Sequence, residues 1–192
     1  MDIIPRAVQV LNHGGTIVYP TDTVYGLGAD AFNEDAILQV YEVKRRQLSN
    51  PISVAVSDME MLCAIAVVTP KAEEFINRFL PGPVTVVLKA KRCLPEILSG
   101  GTGQIGVRFP KHDLALAIIA AFDTPITATS ANLSGEKDPA TINDVHICAD
   151  LIIDGGRLPG KPSTVVNLVT GKMERIGENG EEVAAYIAAH GV

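Results

Sequence analysis

Apolar residues recur three and four positions apart at Ile4, Ala7, Val8 and Leu11, and the pattern stops at Gly14 and Gly15. That spacing predicts a first helix ended by glycine. A short apolar run, residues 16–20 (TIVYP), then predicts a strand closed by proline. Residues 33–46 (NEDAILQVYEVKRR) return to helical spacing. Asn33 serves as N-cap, Glu34 and Asp35 fall in the first turn, and Lys44, Arg45 and Arg46 fall in the last, which suits the helix dipole.

The pattern keeps changing along the chain. Strands are predicted over 52–56, 83–88, 105–110 and 125–130, and shorter ones over 151–156, 163–168 and 173–177. Helices are predicted over 69–80, with Thr69 as cap and Pro70 in the first turn, over 113–122, over 141–149 and over 180–189. Thr141 with Asp144 three residues on resembles a capping box for the third of these. Strands and helices mix without strict alternation, which predicts an α/β fold around a twisted mixed sheet. A chain of 192 residues fits one domain, expected to span 1–192.

Composition narrows the function classes. The chain is 47% hydrophobic, enough for a core that folds without staples, and only 5% aromatic, so that core is aliphatic. Its net charge of -6 argues against a generally basic nucleic-acid coat while leaving room for a local basic patch. Cys63, Cys93 and Cys148 are odd in number and far apart, with no C-x-x-C, and read as reduced thiols in a cytoplasmic protein. The first fifteen residues make a poor signal peptide, and no apolar run reaches the roughly 20 residues a membrane span needs.

Polar clusters fall at element ends. Thr21, Asp22 and Thr23 crowd the end of the first strand, ahead of Tyr25, Gly26 and Gly28. Lys44 and Arg46 stand two apart and can act together only if their helix stops there; they either complement the helix end or clamp phosphate on a turn begun at Asn50-Pro51. Residues 99–110 (SGGTGQIGVRFP) combine glycines with Arg108, a cation interrupting an apolar strand; facing inward it needs an anionic partner, facing outward it is solvated. Residues 128–135 (ATSANLSG) end a strand in hydroxyls and an amide, where open α/β sheets tend to bind ligands. There is no G-x-S-x-G elbow, no P-loop, no paired catalytic carboxylates, and the four histidines lack metal-ligand spacing. This inventory of cations, hydroxyls and amides suits an anionic, phosphate-bearing ligand and chemistry carried by positioning and electrostatics.

Taken in order, YPTDTVYGLG, Lys44-x-Arg46, Asn50-Pro51, GVRFP, TSANLSG and STVV resemble the YrdC-like family of threonylcarbamoyl-AMP synthases, over about Thr16 to Ile176. The resemblance implies a YrdC-like twisted mixed sheet with a concave, positively charged face. It implies synthesis of threonylcarbamoyl-adenylate from L-threonine, bicarbonate and ATP, with Mg2+ assisting and no metal ligated directly by protein. The same resemblance implies release of pyrophosphate and transfer of the product to a tRNA-modifying transferase complex. By the same resemblance Thr23, Arg108, Ala128 and Ser163 would bind threonine. Lys44, Arg46, Asn50, Gln104, Ser130, Asn132, Asp138 and Arg175 would hold ATP, with Lys44 and Arg46 catalytic. Thr21, Asp22 and Thr23 would face the mouth of the pocket, and Gly26 and Gly28 would give the ligand room.

Three positions depart from the family. Ala55 stands where many relatives carry His, Gln104 where Thr is common, and Asp138 where a small hydroxyl residue is usual. Asp138 would set a like charge near phosphates unless Mg2+ bridges them or the side chain turns away. The longer C-terminal extension of some relatives is expected to be absent. Two other readings stand beside the synthase: a double-stranded RNA-binding module on the same fold, and a paralogue acting on a different carbamate.

Overall fold

Capping side chains start the helices where the sequence offers them. In the computed structural model, which describes residues 2–192, Asp2 accepts from Ile4 N to begin α1 (Ile3–Asn12). β1 (Ile17–Tyr19) and β2 (Gly26–Gly28) form an antiparallel pair. Asn33 accepts from Asp35 N and Ala36 N to begin α2 (Glu34–Val43). Next come β3 (Val54–Ala55), α3 (Met59–Ile65) capped by Asp58, and β4 (Ala66–Val67). α4 (Pro70–Phe79) is capped by Thr69 and followed by β5 (Val84–Ala90), α5 (Glu96–Ser99) and β6 (Gln104–Arg108). α6 (Asp113–Phe122) leads to β7 (Ile126–Thr127) and β8 (Thr129–Ser130). A 3-10 turn at Ile142–Asp144 precedes β9 (Leu151–Ile152), β10 (Thr164–Asn167), β11 (Lys172–Arg175) and α7 (Gly180–His190).

The strands make two mixed sheets. The smaller runs β8-β2-β1-β9 and the larger β11-β10-β5-β6-β3-β7, with β4 paired to the far end of β5. The predicted strand 125–130 is therefore two. β7 pairs with β3 in the larger sheet and β8 with β2 in the smaller, so the chain changes sheets at Ala128, whose N–H donates to Ser53 O at 2.7 Å. β1 is buried on both faces. Val18 enters the main core with Tyr25 and Leu27, while Ile17 and Tyr19 join Leu11, Ile118 and Ile119 in a second core under α1 and α6. Double burial is why residues 16–20 read as an unbroken apolar run.

Three features differ from the sequence expectation. The helix over 141–149 is a single 3-10 turn: Thr141 and Asp144 do form the capping box, but Val145 is extended. Beyond it Ile147 enters the core, and Asp150 accepts from Thr16 N at 2.7 Å, so tertiary contacts draw the segment out. β2 was not expected, because glycine is a poor strand former. The ring of Tyr19 explains it: a Cβ at Gly26 or Gly28 would meet ring carbons at 3.0 Å, so both glycines make room for tyrosine, and Gly26 also lines the cleft described below, whereas Gly28 does not. α3 and β4 were likewise unassigned. The three cysteines are free and exposed, and no helix among the described residues is long and apolar enough to cross a membrane.

Candidate functional site

The switch at Ala128 opens a cleft between the two sheets. It encloses about 1020 Å³ including its mouth and is lined from β1, the turn after it, the end of α2, β3, β5, β6, β8 and the segments around 134–138 and 162–175. Ten of the twelve residues singled out above line it: Thr23, Lys44, Arg46, Arg108, Ala128, Ser130, Asn132, Asp138, Ser163 and Arg175. Asn50 and Gln104 do not. Asn50 is exposed, and its backbone carbonyl accepts from Arg46 Nε at 3.2 Å; Gln104 sits at the opposite end of β6 from Arg108, where its Oε1 accepts from Asn167 Nδ2 at 2.9 Å. The glycine-rich loop 100–103 also lies outside the lining and acts as a connection.

One end of the cleft rests on strands. Arg108, only 6% exposed, ends β6 between β5 and β3. Its Nη1 donates to Gly82 O at 2.7 Å and Val84 O at 3.0 Å, and its Nη2 donates to Asp22 Oδ1. Burial lowers the Arg108 pKa and the Asp22 carboxylate opposes that shift, so the guanidinium stays charged. Thr21 ties the turn: its hydroxyl donates to Val24 O at 2.7 Å and accepts from Thr23 N and Val24 N, which sets Asp22 against Arg108 and Thr23 in the lining. Across from them the hydroxyls of Ser163 and Thr85 lie 2.8 Å apart, and Arg175 donates to both Ser163 O and Ser163 Oγ at 3.0 Å.

The other end is carried by a helix terminus, the short strand β8 and loops. α2 stops at Val43, Lys44 is its C-cap, and Arg45 takes φ 49°, with Arg46 N donating back to Tyr41 O at 2.9 Å. This left-handed step is what brings Lys44 and Arg46 to one surface, a placement a continuing helix forbids. Lys44 Nζ donates to Ser130 O at 2.5 Å, Asn132 O at 2.7 Å and Asn132 Oδ1 at 3.1 Å, which uses all three of its protons. Burial, with Arg46 beside it, lowers the Lys44 pKa to about 8, against the pull of Asp138. Asn132 Oδ1 also accepts from Ser130 Oγ at 2.7 Å, while its Nδ2 donates to Glu136 O and to Asp138 Oδ1 at 3.3 Å. Asp138 therefore turns toward Asn132 within the cleft wall. Arg46 and Arg175 both have pKa values lowered by burial, and both remain cations at neutral pH.

Four cations thus line one concavity in a chain of net charge -6, with Glu136 and Asp138 the only acids among the described lining residues and Asp22 behind Arg108 outside that lining. Sequence reasoning missed Ser53, Thr85 and Glu136. A hydroxyl isolated in an apolar strand, as Thr85 is in PVTVVL, was the available signal. No group of three or more metal-ligating side chains occurs among the described residues.

Comparison with known proteins places the chain in a family. The Sua5–YciO–YrdC family model, described as telomere recombination, matches residues 9–178. A threonylcarbamoyl-AMP synthase of Pyrococcus abyssi is 38% identical over 170 residues, covering 84% of this chain and 49% of that protein. The protein of the same name from Escherichia coli is 34% identical over 185 residues, covering 92% and 96%. The crystal structure of P. abyssi Sua5 complexed with L-threonine superposes with a TM-score of 0.88 at 36% identity, covering 94% of this chain and 56% of that one. The chain therefore spans about half the length of some curated relatives and nearly all of others.

Proposed function

The chain belongs to the Sua5–YciO–YrdC family, and from that membership we propose that it is a threonylcarbamoyl-AMP synthase, joining L-threonine, bicarbonate and ATP into threonylcarbamoyl-adenylate with release of pyrophosphate. The observation that carries this reading is the meeting of Thr23, Lys44, Arg108 and Ser130, from four separate elements, in one cleft.

On this proposal the strand-borne end holds threonine. Arg108 retains Nε–H and one Nη2–H without protein partners, enough to take a carboxylate. Ser163, Thr23 and the Ala128 backbone line the space beside it. The Lys44 end holds the nucleotide, with Lys44 and Arg46 toward the phosphates, Ser130 and Asn132 beside them, and Arg175 of β11 between Ser163 and Asp138, where the two ends meet; Asn50 and Gln104 contribute no side chain. The substrate ammonium releases a proton, bicarbonate takes up a proton and loses water to give CO2, and the amine nitrogen bonds to the carbon of that CO2 and releases a second proton, leaving a carbamate. A carbamate oxygen attacks the α-phosphorus of ATP, the bond to the bridging oxygen breaks, and pyrophosphate leaves with the electron pair. The cations stabilise charge on the phosphoryl oxygens as it builds.

Mg2+ fits as an ion carried on the phosphates, since magnesium keeps several waters and needs few protein ligands; bound there it would neutralise phosphate charge. The acids at that end are Glu136 and Asp138, and Asp138 Oδ1 is committed to Asn132. The product, a reactive mixed anhydride, would pass to a tRNA-modifying transferase. The deciding assay is pyrophosphate release from ATP and bicarbonate with and without L-threonine. Release that requires threonine is expected. Release without that requirement marks a different carbamate, and no release under any condition overturns the synthase in favour of a binding role.

A further inference from the structure

Asp22 is the residue of the opening turn that the synthase reading does not use. Its side chain is 10% exposed and that of Arg108 is 7% exposed, so the two form a buried ion pair. The pair is incomplete: Asp22 Oδ1 accepts from Arg108 Nη2, while Asp22 Oδ2 is buried with no hydrogen-bond partner. A buried carboxylate oxygen without a partner is costly and uncommon. Arg108 is incomplete in the complementary sense, with Nε–H and one Nη2–H unpaired and its side chain in the cleft lining. Arg108 therefore keeps an unpaired positive edge on the cleft, while the unpaired Asp22 oxygen lies buried outside the lining.

We propose that Asp22 is a positioning and specificity residue: it fixes Arg108 and cancels its charge, so that this end of the cleft takes an α-amino acid zwitterion in preference to a carboxylate lacking the amine. The inference rests on the synthase reading above. Charge balance decides the preference, because Arg108 and Asp22 are largely removed from water. Arg108 alone is a buried cation that would favour any carboxylate, whereas Arg108 paired with Asp22 is neutral and accepts a neutral ligand carrying both signs; the next cation, Arg175, is engaged with Ser163 O and Oγ. A ligand with a carboxylate but no ammonium adds an uncompensated negative charge near Asp22, and like charges close together in a protein interior repel strongly. The same carboxylate acts after the amine has become a carbamate. The nitrogen substituent is then negative, and Asp22 repels it toward Lys44, Arg46 and Arg175, where the phosphates are to lie. Asp22 touches Arg108 and needs no contact with substrate to do either.

The test compares L-threonine with 3-hydroxybutyrate, which is threonine without its amine, by calorimetric titration. The wild-type protein should bind threonine tighter by tenfold or more, and Asp22→Asn should shrink that ratio at least fivefold while leaving the KM for ATP within about twofold. A merely structural role weakens both ligands together and leaves the ratio unchanged, which would overturn the inference while sparing the function. If Asp22→Asn does not fold, the wild-type ratio decides: a value near one overturns the inference. Failure of the wild-type protein to bind threonine at all overturns the functional reading and this inference with it.

Discussion

The two ends of the cleft are built differently. At the Arg108 end every polar group sits on or beside a strand: Arg108 on β6, Thr85 on β5, Ser163 just before β10, and Asp22 in a turn pinned by Thr21. At the Lys44 end Ser130 belongs to the short strand β8, while Lys44, Arg46, Asn132 and Asp138 come from a helix terminus and loops, and Lys44 and Arg46 donate to carbonyls. Lys44 holds Ser130 and Asn132, and Arg46 Nη2 donates to Pro51 O at 2.8 Å. Arg108 also donates to carbonyls, but its Nε–H and one Nη2–H stay unpaired, so a ligand meets a preset fork at the first end and must exchange hydrogen bonds with the protein at the second. Selectivity for a small amino acid asks for the first construction. A triphosphate that arrives, rearranges and leaves as pyrophosphate is served by the second.

The comparison breaks most visibly at Arg108. Arg108→Ala removes a charged fork and leaves Asp22 buried alone, so the threonine KM should rise about 100-fold and stability should fall by about 3–5 kcal/mol, with the ATP KM little changed. Equal effects on both substrates would dissolve the distinction between the ends; steady-state kinetics and thermal melts read both quantities. Lys44 sharpens the other side. Its folded pKa of about 8 lies below the ordinary 10.5, so the unfolded chain holds that proton more tightly. Stability contributed by this group therefore rises with pH between those two values. Its charge, and with it ATP affinity measured without threonine, falls as pH passes about 8. Lys44→Met should weaken ATP binding and flatten that pH dependence.

Smaller effects refine the picture. Thr85→Val removes the hydroxyl paired to Ser163 and should raise the threonine KM about fivefold, the worth of one buried hydrogen bond, with no change for ATP. Asn50→Ala and Gln104→Ala should each change either KM by less than about twofold, because the first residue offers only its backbone and the second lies outside the cleft. A large loss of ATP affinity in either would return that residue to the nucleotide set.

Much of the frame was legible because local physics decided it. Asn33, Thr69 and Pro70 announce helix starts that the chain obeys, and apolar runs mark β1, β5 and β6. The misreadings arose where distant contacts overrule local preference. Gly26 and Gly28 form a strand because Tyr19 needs the space, and residues 145–149 are drawn out of a helix by core packing. The site followed the same division. Hydroxyls and cations at strand ends were visible as clusters, and their order matched a family. What no local pattern reveals is the pairing of Asp22 with Arg108, 86 residues apart, or of Thr85 with Ser163, 78 apart. The stop of α2 at a left-handed Arg45 is equally hidden, since nothing in KRRQ demands it.

The central claim is that one cleft holds threonine and ATP side by side and joins them through bicarbonate. Mass spectrometry of a reaction containing ATP, L-threonine and 13C-bicarbonate tests it directly. The account predicts an adenylate that carries both threonine and the 13C label. Consumption of ATP with no such adenylate, or a labelled adenylate that forms equally well without threonine, would contradict it.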